Sequence, residues 1–386
     1  MSEDTTNIIN ELRNTDYSKT IDSYDPIVEL KNDLKNLLTL IDDIYLRKEA
    51  RVEDIKEVAM PPELISYYRG INYRYIMTYE FGEEIVKFVD VMNNNFSAAN
   101  LIMLYNNVNE LKIKKIHFNE QKEHLKNIIF GRGKTDQTAA SYNEYLNRIS
   151  ISENDALVYL PHELFHMSSS FYDEENCIYY SGFSQSARND IKTIGDGFNE
   201  GYTELMVSKY FGKKNLSNSS VCYQYLFEMA NNIETIVGKD KMEHFYLTAN
   251  LKGLVDELTK YVSHEDVMKF IAATDYLFKT LNDGKKKQNE KDTILEQLRF
   301  VNIFIIVCAT RKAAKLLLEN KITAAELGVT VSNNIGVLND YFIIRGEKYN
   351  AMPTPEQKRE IIVNALKDCG IGATVEVEQK KQSNVR

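Results

Sequence analysis

Cysteine is scarce in this chain of 386 residues, which contains only four, none with the close paired spacing of a disulfide or metal-binding motif. We therefore expect neither a disulfide framework nor a zinc site built on thiolates. Free thiols are typical of a reducing compartment, so the composition predicts a cytoplasmic protein. The four residues are Cys177, Cys222, Cys308 and Cys369.

The sequence also has few clustered basic residues and no long apolar run, and its first residues do not have the pattern of a signal peptide. The formal net charge is -9 and the longest basic run is Lys285-Lys286-Lys287, so we expect neither nucleic acid nor an anionic membrane as a partner. The acidic start, residues 1–6, is unlike a secretory signal peptide. The longest apolar stretch, Phe300 to Ala309, is about half the roughly 20 residues that span a bilayer, and predicts a buried helix.

The clearest motif is His162-Glu163-Leu164-Phe165-His166, which has the H-E-x-x-H spacing of a zinc site. Residues four apart on a helix lie one turn above each other, so the imidazoles of His162 and His166 can converge on one ion. Glu163 points to the neighbouring side of that ion. There it can reach a zinc-bound water as a general base without occupying a coordination position.

A zinc site of this kind needs a third protein ligand and one open position. The best candidate is Glu200 in the stretch Asn199-Glu200-Gly201-Tyr202-Thr203-Glu204. Asp196 and Glu204 are the competing third ligands. If Glu200 is the ligand, Glu204 lies one turn later and is expected to accept the free ring N–H of a ligating histidine, which fixes the orientation of that ring.

The local pattern around Glu200 predicts how the third ligand is presented. Asn199 is expected to be an N-cap, followed by a helix from Glu200 to Phe211 that ends at Gly212. Gly201 is expected to let the two metal-site helices approach closely.

These residues resemble the metal site of the gluzincin metallopeptidases, in which the glutamate of a downstream N-E motif completes the site. The resemblance covers roughly residues 110–212. It implies one zinc ion per chain, with His162, His166 and Glu200 as ligands and Glu163 as the base. The separation of His166 from Glu200 is longer than in thermolysin-like enzymes. No G-x-M-E-N stretch is present, which leaves exopeptidase action unsupported.

The resemblance implies peptide-bond hydrolysis, with internal cleavage of an extended peptide or protein substrate. Glu163 would take a proton from the zinc-bound water and pass it to the leaving amine. Two other functions stay open: a zinc-binding structural or interaction protein with an idle site, and an effector-like protease specific for one partner protein. The sequence gives no oligomeric state.

The fold expected from helical periodicity and from the resemblance is α+β and predominantly helical. It has a zincin-like core with a small mixed sheet and an active-site helix, and its first strand is expected at Lys112 to Phe118. We predict four regions. They are a helical N-terminal region at 1–95, the zincin-like metal-site core at 96–215, a helical C-terminal region closing the cleft at 216–370, and a flexible tail at 371–386.

Residues 138–151 predict a β-hairpin that turns near Asn143-Glu144. In zincin-like sites the strand leading toward the metal helix is a sheet edge, to which an extended peptide adds by main-chain hydrogen bonds. The resemblance therefore implies a substrate-docking edge at Ala139, Ala140 and Ser141. An ordinary hairpin in a mixed sheet is the alternative.

Two segments beside the motif permit two interpretations each. Pro161 either kinks the metal helix or marks its start at about Leu160. The long polar and aromatic segment from Tyr172 to Thr193 is expected to be a loop, which is either a lid or pocket wall, or a surface excursion.

The C-terminal half predicts four helices at Tyr223–Ile236, Met242–Leu258, His264–Leu281 and Thr293–Glu319. In gluzincin-like enzymes the helices after the metal site usually donate a residue that stabilises the oxyanion. The candidates here are His244, Tyr246 and His264. A purely structural role is the alternative for each of them.

Overall fold

The computed structural model describes thirteen stretches of the chain: residues 87–88, 91–92, 94–95, 112–115, 140–144, 148–151, 158–173, 178–187, 193–212, 221–281, 290–338, 341–344 and 347–371. Within them the protein is α+β and predominantly helical, which confirms that part of the prediction. Most of the predicted N-terminal region and almost all of the predicted tail lie outside these ranges.

Nine helices are bounded within the described residues. They are α1 (Leu160–Ser168), α2 (Asp196–Phe211), α3 (Val221–Val237), α4 (Lys239–Leu247), α5 (Leu251–Leu258), α6 (His264–Leu281), α7 (Lys291–Leu318), α8 (Leu327–Ile335) and α9 (Pro355–Asp368).

The strands in the same ranges are short. They are β1 (Lys112–Lys115), β2 (Ala140–Asn143), β3 (Arg148–Ile151), β4 (Ser170–Asp173), β5 (Ile178–Ser181), β6 (Ser184–Ala187), β7 (Thr193–Ile194), β8 (Tyr341–Ile344) and β9 (Glu347–Asn350).

A small mixed sheet precedes helix α1. Its order is β1-β3-β2, with β1 parallel and β2 antiparallel to β3. Ala140 lies opposite Ile151, and Asn143 lies opposite Arg148, so β2 and β3 form the predicted hairpin. The sheet packs on α1 through β2 and β3, and the side chain of Ile149 is completely buried.

Helix α1 starts at Leu160, and Pro161 lies in its first turn. Proline is tolerated there because its missing N–H has no partner within the helix. The second of the two interpretations of Pro161 is therefore confirmed. Leu164 and Phe165 are buried, and the Phe165 ring meets Phe88 edge to face with centroids 4.9 Å apart.

The segment predicted as a long loop from Tyr172 to Thr193 contains strands instead. Strand β4 pairs with β5, and β6 pairs with β7, both antiparallel. Aromatic and β-branched residues such as Ile178, Tyr179 and Tyr180 favour strands, and this preference outweighs the polar composition of the segment. The prediction of one extended loop is wrong.

The chain divides into two compact units, each made of segments distant in sequence. One comprises Met1–Gly182, Val207–Leu216 and Leu247–Ala249; the other comprises Phe183–Met206, Ser217–Tyr246 and Asn250–Arg386. The four regions expected from the sequence stay a prediction.

Helix α7 is the centre of the second unit, because α3, α6, α8 and α9 all pack against it. Phe304 stacks on Phe270 of α6 with ring centroids 4.4 Å apart. The buried amide of Asn302 donates to the carbonyl of Ala351 at 3.1 Å.

Among the described helices, α7 is the one whose length and composition would suffice to cross a membrane, yet 61% of its 18-residue apolar window is buried inside the protein. Such burial is typical of a core helix.

The predicted helix from Met242 to Leu258 is two helices, α4 and α5. Ala249 has a φ of 49° between them, and the side chain of Asn250 accepts a hydrogen bond from Gly253 N at 2.7 Å as the N-cap of α5. The apolar pattern runs through this break, so periodicity alone did not indicate it. The other three predicted helices are present within a few residues of their expected bounds.

Candidate metal centre

The two histidines of the H-E-x-x-H motif converge as their helical spacing predicts. Their Nε2 atoms lie 2.9 Å apart, and their ring centroids are 4.7 Å apart with an interplanar angle of 71°. Both side chains are buried. Helix α1 therefore presents the Nε2 atoms of His162 and His166 to one point.

Helix α1 ends at Ser168, two residues after the second histidine, and serine hydroxyls donate hydrogen bonds to that end. The carbonyl oxygen of His166 accepts hydrogen bonds from Ser169 Oγ (3.1 Å), Ser170 Oγ (2.7 Å) and Ser181 Oγ (3.2 Å). Carbonyls in the last turn of a helix lack partners within the helix, so these donors satisfy a group that burial would otherwise penalise. This role was not predicted from the sequence, although the run of serines after Met167 is a signal for it.

Glu200 lies in the second turn of helix α2, which begins at Asp196 and not, as predicted, at Glu200. The prediction of Asn199 as N-cap is wrong because Asn199 is already helical: its backbone N–H donates to Gly195 O at 2.8 Å. Its side-chain Oδ1 instead accepts from Phe183 N at 3.0 Å. The predicted end of the helix at Phe211, before Gly212, is confirmed.

His162, His166 and Glu200 form one group of potential ligands. Each offers one ligand atom, and these atoms all lie within 4.8 Å of one another. Tetrahedral zinc with bonds of about 2.0–2.1 Å places its ligand atoms roughly 3.3 Å apart. The two histidine nitrogens lie 2.9 Å apart, and all three ligand atoms lie within 4.8 Å of one another. The separation of about 3.3 Å that zinc requires falls between these two distances.

The donor set also fits zinc chemically. Two imidazoles and one carboxylate suit zinc, and three protein ligands leave a fourth position open for water or substrate. The group can therefore hold a metal ion, and the choice of zinc is a proposal made below.

Of the competing third ligands, Asp196 is engaged elsewhere. Its carboxylate accepts hydrogen bonds from Ser184 Oγ, at 2.5 Å, and from Thr193 Oγ1. Glu204 is buried one turn after Glu200 on α2, and its expected role in orienting a histidine stays a prediction.

The close approach expected at Gly201 involves a different helix. A Cβ atom at Gly201 would lie 2.3 Å from the carbonyl oxygen of Leu226 on α3. The glycine therefore allows α2 to pack tightly on α3, and the expectation that it serves the contact between the two metal-site helices is replaced by this contact.

Glu163 follows the first histidine on α1, and 8% of its surface is exposed. A carboxylate that acts as a general base in a metal site has to lie beside the metal and away from bulk water. Its position next to His162 in the sequence of the helix agrees with that role, which stays a prediction.

The predicted docking edge falls on strand β2. Among the strands that the structure describes, β2 pairs with β3 alone and so forms one edge of the mixed sheet. Ala140 is buried and Ser141 is half-buried, whereas Ala139 lies outside the described residues. Burial raises the pKa of Tyr142 well above its ordinary value, although a hydrogen bond with Ser170 opposes the shift.

The three oxyanion candidates occupy different environments. Tyr246 is completely buried, and its hydroxyl shares a hydrogen bond of 2.7 Å with Thr203 Oγ1. His244 is buried on α4, whereas His264 is exposed at the first residue of α6. Their assignment to the oxyanion stays a prediction.

One hydrogen-bonding group near α2 was not predicted from the sequence. The carboxylate of Asp275, on α6, accepts hydrogen bonds from the backbone N–H groups of Gly195 and Gly197, both at 2.9 Å. No local motif signals this contact, because 78 to 80 positions separate the partners.

Comparison with known proteins adds no relative. No family model, curated protein or solved structure matches the chain. A proposal for the function therefore depends on the geometry of the site and on the chemistry of its residues.

Proposed function

We propose that the protein is a zinc-dependent peptidase that cleaves internal bonds of an extended peptide or protein segment. His162, His166 and Glu200 are the zinc ligands, and Glu163 is the general base. The observation that carries the proposal is the convergence of two imidazoles and one carboxylate within 4.8 Å. The glutamate of the H-E-x-x-H motif is the residue that this arrangement would use for catalysis.

Zinc bound there supplies Lewis-acid chemistry, since it makes water more acidic and polarises a carbonyl group. The carboxylate of Glu163 accepts the proton of the attacking water and then delivers it to the leaving amine. The burial of its side chain agrees with this role, because the proton transfer then takes place away from bulk water.

The edge strand β2 supports the choice of an extended substrate. A peptide can add to a sheet edge through main-chain hydrogen bonds, which are independent of its sequence and do not require a chain terminus. Because α1 packs on β2, a peptide on that edge lies next to the helix that carries both histidines and the base. Internal cleavage follows from this mode of docking.

The metal assignment is tested by zinc content after dialysis against metal-free buffer. We expect about one zinc per wild-type chain and a clear loss in Glu200→Ala, because two imidazoles alone hold zinc weakly. Glu265→Ala removes an exposed glutamate that pairs with Lys269 on the surface of α6, and it should retain the metal. A folded wild-type protein without zinc would refute the proposal.

The catalytic role is tested with Glu163→Gln, which keeps the size of the side chain but cannot accept a proton. On quenched fluorescent peptide libraries we expect wild-type cleavage and a rate reduced by about 10²–10⁴-fold in the variant, with zinc content unchanged. A fully active variant would exclude Glu163 as the base. Zinc binding by a wild type without peptidase activity, on libraries and on native proteins alike, would favour the idle zinc-binding protein.

A further inference from the structure

The N-terminus of helix α2 is held by a carboxylate from a distant helix. Asp275 of α6 accepts the N–H groups of Gly195 and Gly197, each at 2.9 Å. The first N–H groups of a helix have no partner within the helix, and they carry the positive end of its dipole. A buried carboxylate at this end satisfies two of them and complements the dipole.

The backbone around these two amides leaves no space for other residues. A Cβ atom on Gly197 would lie 2.1 Å from the carbonyl oxygen of Thr274, and one on Gly195 would lie 2.1 Å from the carbonyl oxygen of Phe183. Gly195 also has a φ of +88°, which favours glycine. The first turn of α2 is therefore pressed against the backbone of α6, with Asp275 as its hydrogen-bonding partner.

Glu200 lies three residues after Gly197, on the neighbouring turn of the same helix. Because residues three and four apart on a helix share a face, a displacement of the Gly197 turn moves the Glu200 carboxylate with it. Metal–ligand distances tolerate deviations of only about 0.2 Å. The hydrogen bonds from Gly195 and Gly197 to Asp275 can therefore fix the position of the proposed metal ligand Glu200.

The carboxylate of Asp275 lies in a buried environment that disfavours its charged form. Burial raises its pKa from 3.8 to about 6, in spite of the two hydrogen bonds from the glycine amides, which lower it. The neighbouring Asp196 raises the pKa further and Lys279 lowers it. Strongly perturbed carboxylates that are held by specific partners occur preferentially at functional sites.

We propose that Asp275 is a positioning residue of the metal centre: by holding the amides of Gly195 and Gly197, it fixes the first turn of α2 and, through it, the carboxylate of Glu200. This inference rests on the zinc site proposed above. Asp275 acts through the backbone of α2 and does not itself contact the metal.

The direct test is the zinc affinity of Asp275→Asn, measured by competition with a chromophoric chelator at neutral pH. Asparagine has the same shape but only one acceptor oxygen, so one of the two glycine amides loses its partner. We expect affinity to fall by about 10–100-fold, as for other groups that orient metal ligands. In the zinc-free protein, amide hydrogen exchange of residues 195–200 should become faster.

The matched control is Asn302→Ala, which removes a buried amide from α7 in the same unit, far from α2 in sequence. It should lower stability and leave zinc affinity unchanged. If both variants weaken zinc equally, Asp275 acts through general stability and the inference is wrong. If Asp275→Asn binds zinc as tightly as the wild type, or leaves the exchange of these amides unchanged, the inference fails and the zinc site stands.

A second variant covers the case in which Asp275→Asn does not fold. Asp275→Glu keeps the charge and both oxygens but is longer by one methylene, so the glycine amides must shift to meet it. We expect weaker zinc binding here as well, and unchanged affinity would overturn the inference. A wild-type protein that binds no zinc would refute the proposed function itself, and the inference with it.

Discussion

Substitution of Gly201 by alanine separates the packing of α2 from the chemistry of its side chains. Gly201 follows the proposed ligand Glu200, and its Cα faces the backbone of α3. An alanine Cβ would lie 2.3 Å from the carbonyl oxygen of Leu226 and 2.5 Å from its carbonyl carbon. Because the closest atoms belong to the backbone, they cannot rotate away, and the two helices must move apart.

The size of the effect follows from these distances. Ordinary van der Waals contact begins at 3.4 Å, so the Leu226 oxygen and the new Cβ must separate by about 1.1 Å. Overpacking of this kind destabilises a protein by about 1–3 kcal/mol. Alanine also favours the helical conformation over glycine by about 1 kcal/mol, which offsets part of the loss. We expect a net destabilisation of up to about 2 kcal/mol, with a displaced Glu200 and weaker zinc binding.

The assay is urea unfolding of the zinc-free protein, followed by zinc titration of the folded form. Gly328→Ala is the matched control, because Gly328 lies in helix α8 and a Cβ there would meet no atom within 4 Å. That variant should be as stable as the wild type or more stable, and it should bind zinc normally. A Gly201→Ala protein that matches this control in both measurements would refute the close helix contact.

Two further predictions concern the protonation of Asp275 and the N-cap of helix α9. Because the pKa of Asp275 is raised from 3.8 to about 6, the carboxyl is protonated in the folded protein and ionised in the unfolded chain between about pH 4 and 6. The stability that this proton confers is fully present below about pH 4 and is lost as the pH rises through about 6. Relative to Asp275→Asn, the wild type should therefore lose about 3 kcal/mol between pH 4 and 7, and parallel pH profiles in urea unfolding would contradict the shift. Thr354→Ala breaks a capping box in which Thr354 Oγ1 accepts from Gln357 N at 3.2 Å and the Gln357 side chain accepts from Thr354 N at 2.9 Å. It should lower the free energy of unfolding by about 1 kcal/mol, and an unchanged urea midpoint would count against the cap.

The metal group was predictable because its main determinant is local. A helical spacing of four residues fixes the relation of His162 to His166 regardless of the rest of the chain. Glu200 followed from a second short motif, although the helix that carries it starts four residues earlier than predicted. The mixed sheet was predictable for a similar reason, since the hairpin of β2 and β3 is formed by neighbouring residues.

The errors concern features that depend on distant partners or on single backbone angles. Helix α2 starts at Asp196 because Asp275 and the tight packing of Gly197 hold its first turn, and no local pattern contains that information. The break before Asn250 depends on one residue with positive φ, Ala249, inside an uninterrupted apolar pattern. Polar composition concealed the strands between β4 and β7, where backbone pairing decides the conformation.

The hold of α6 on α2 has a consequence for the order of events during synthesis. Asp275 follows Glu200 by 75 residues, and α6 itself packs on the still later helix α7. At translation rates of about 5–20 residues per second, roughly 4 to 15 s pass between the synthesis of Glu200 and that of Asp275. A nascent chain therefore carries all of its proposed zinc ligands before it has the helix that we propose to position the last of them, and we expect stable metal binding only after α6 has been synthesised.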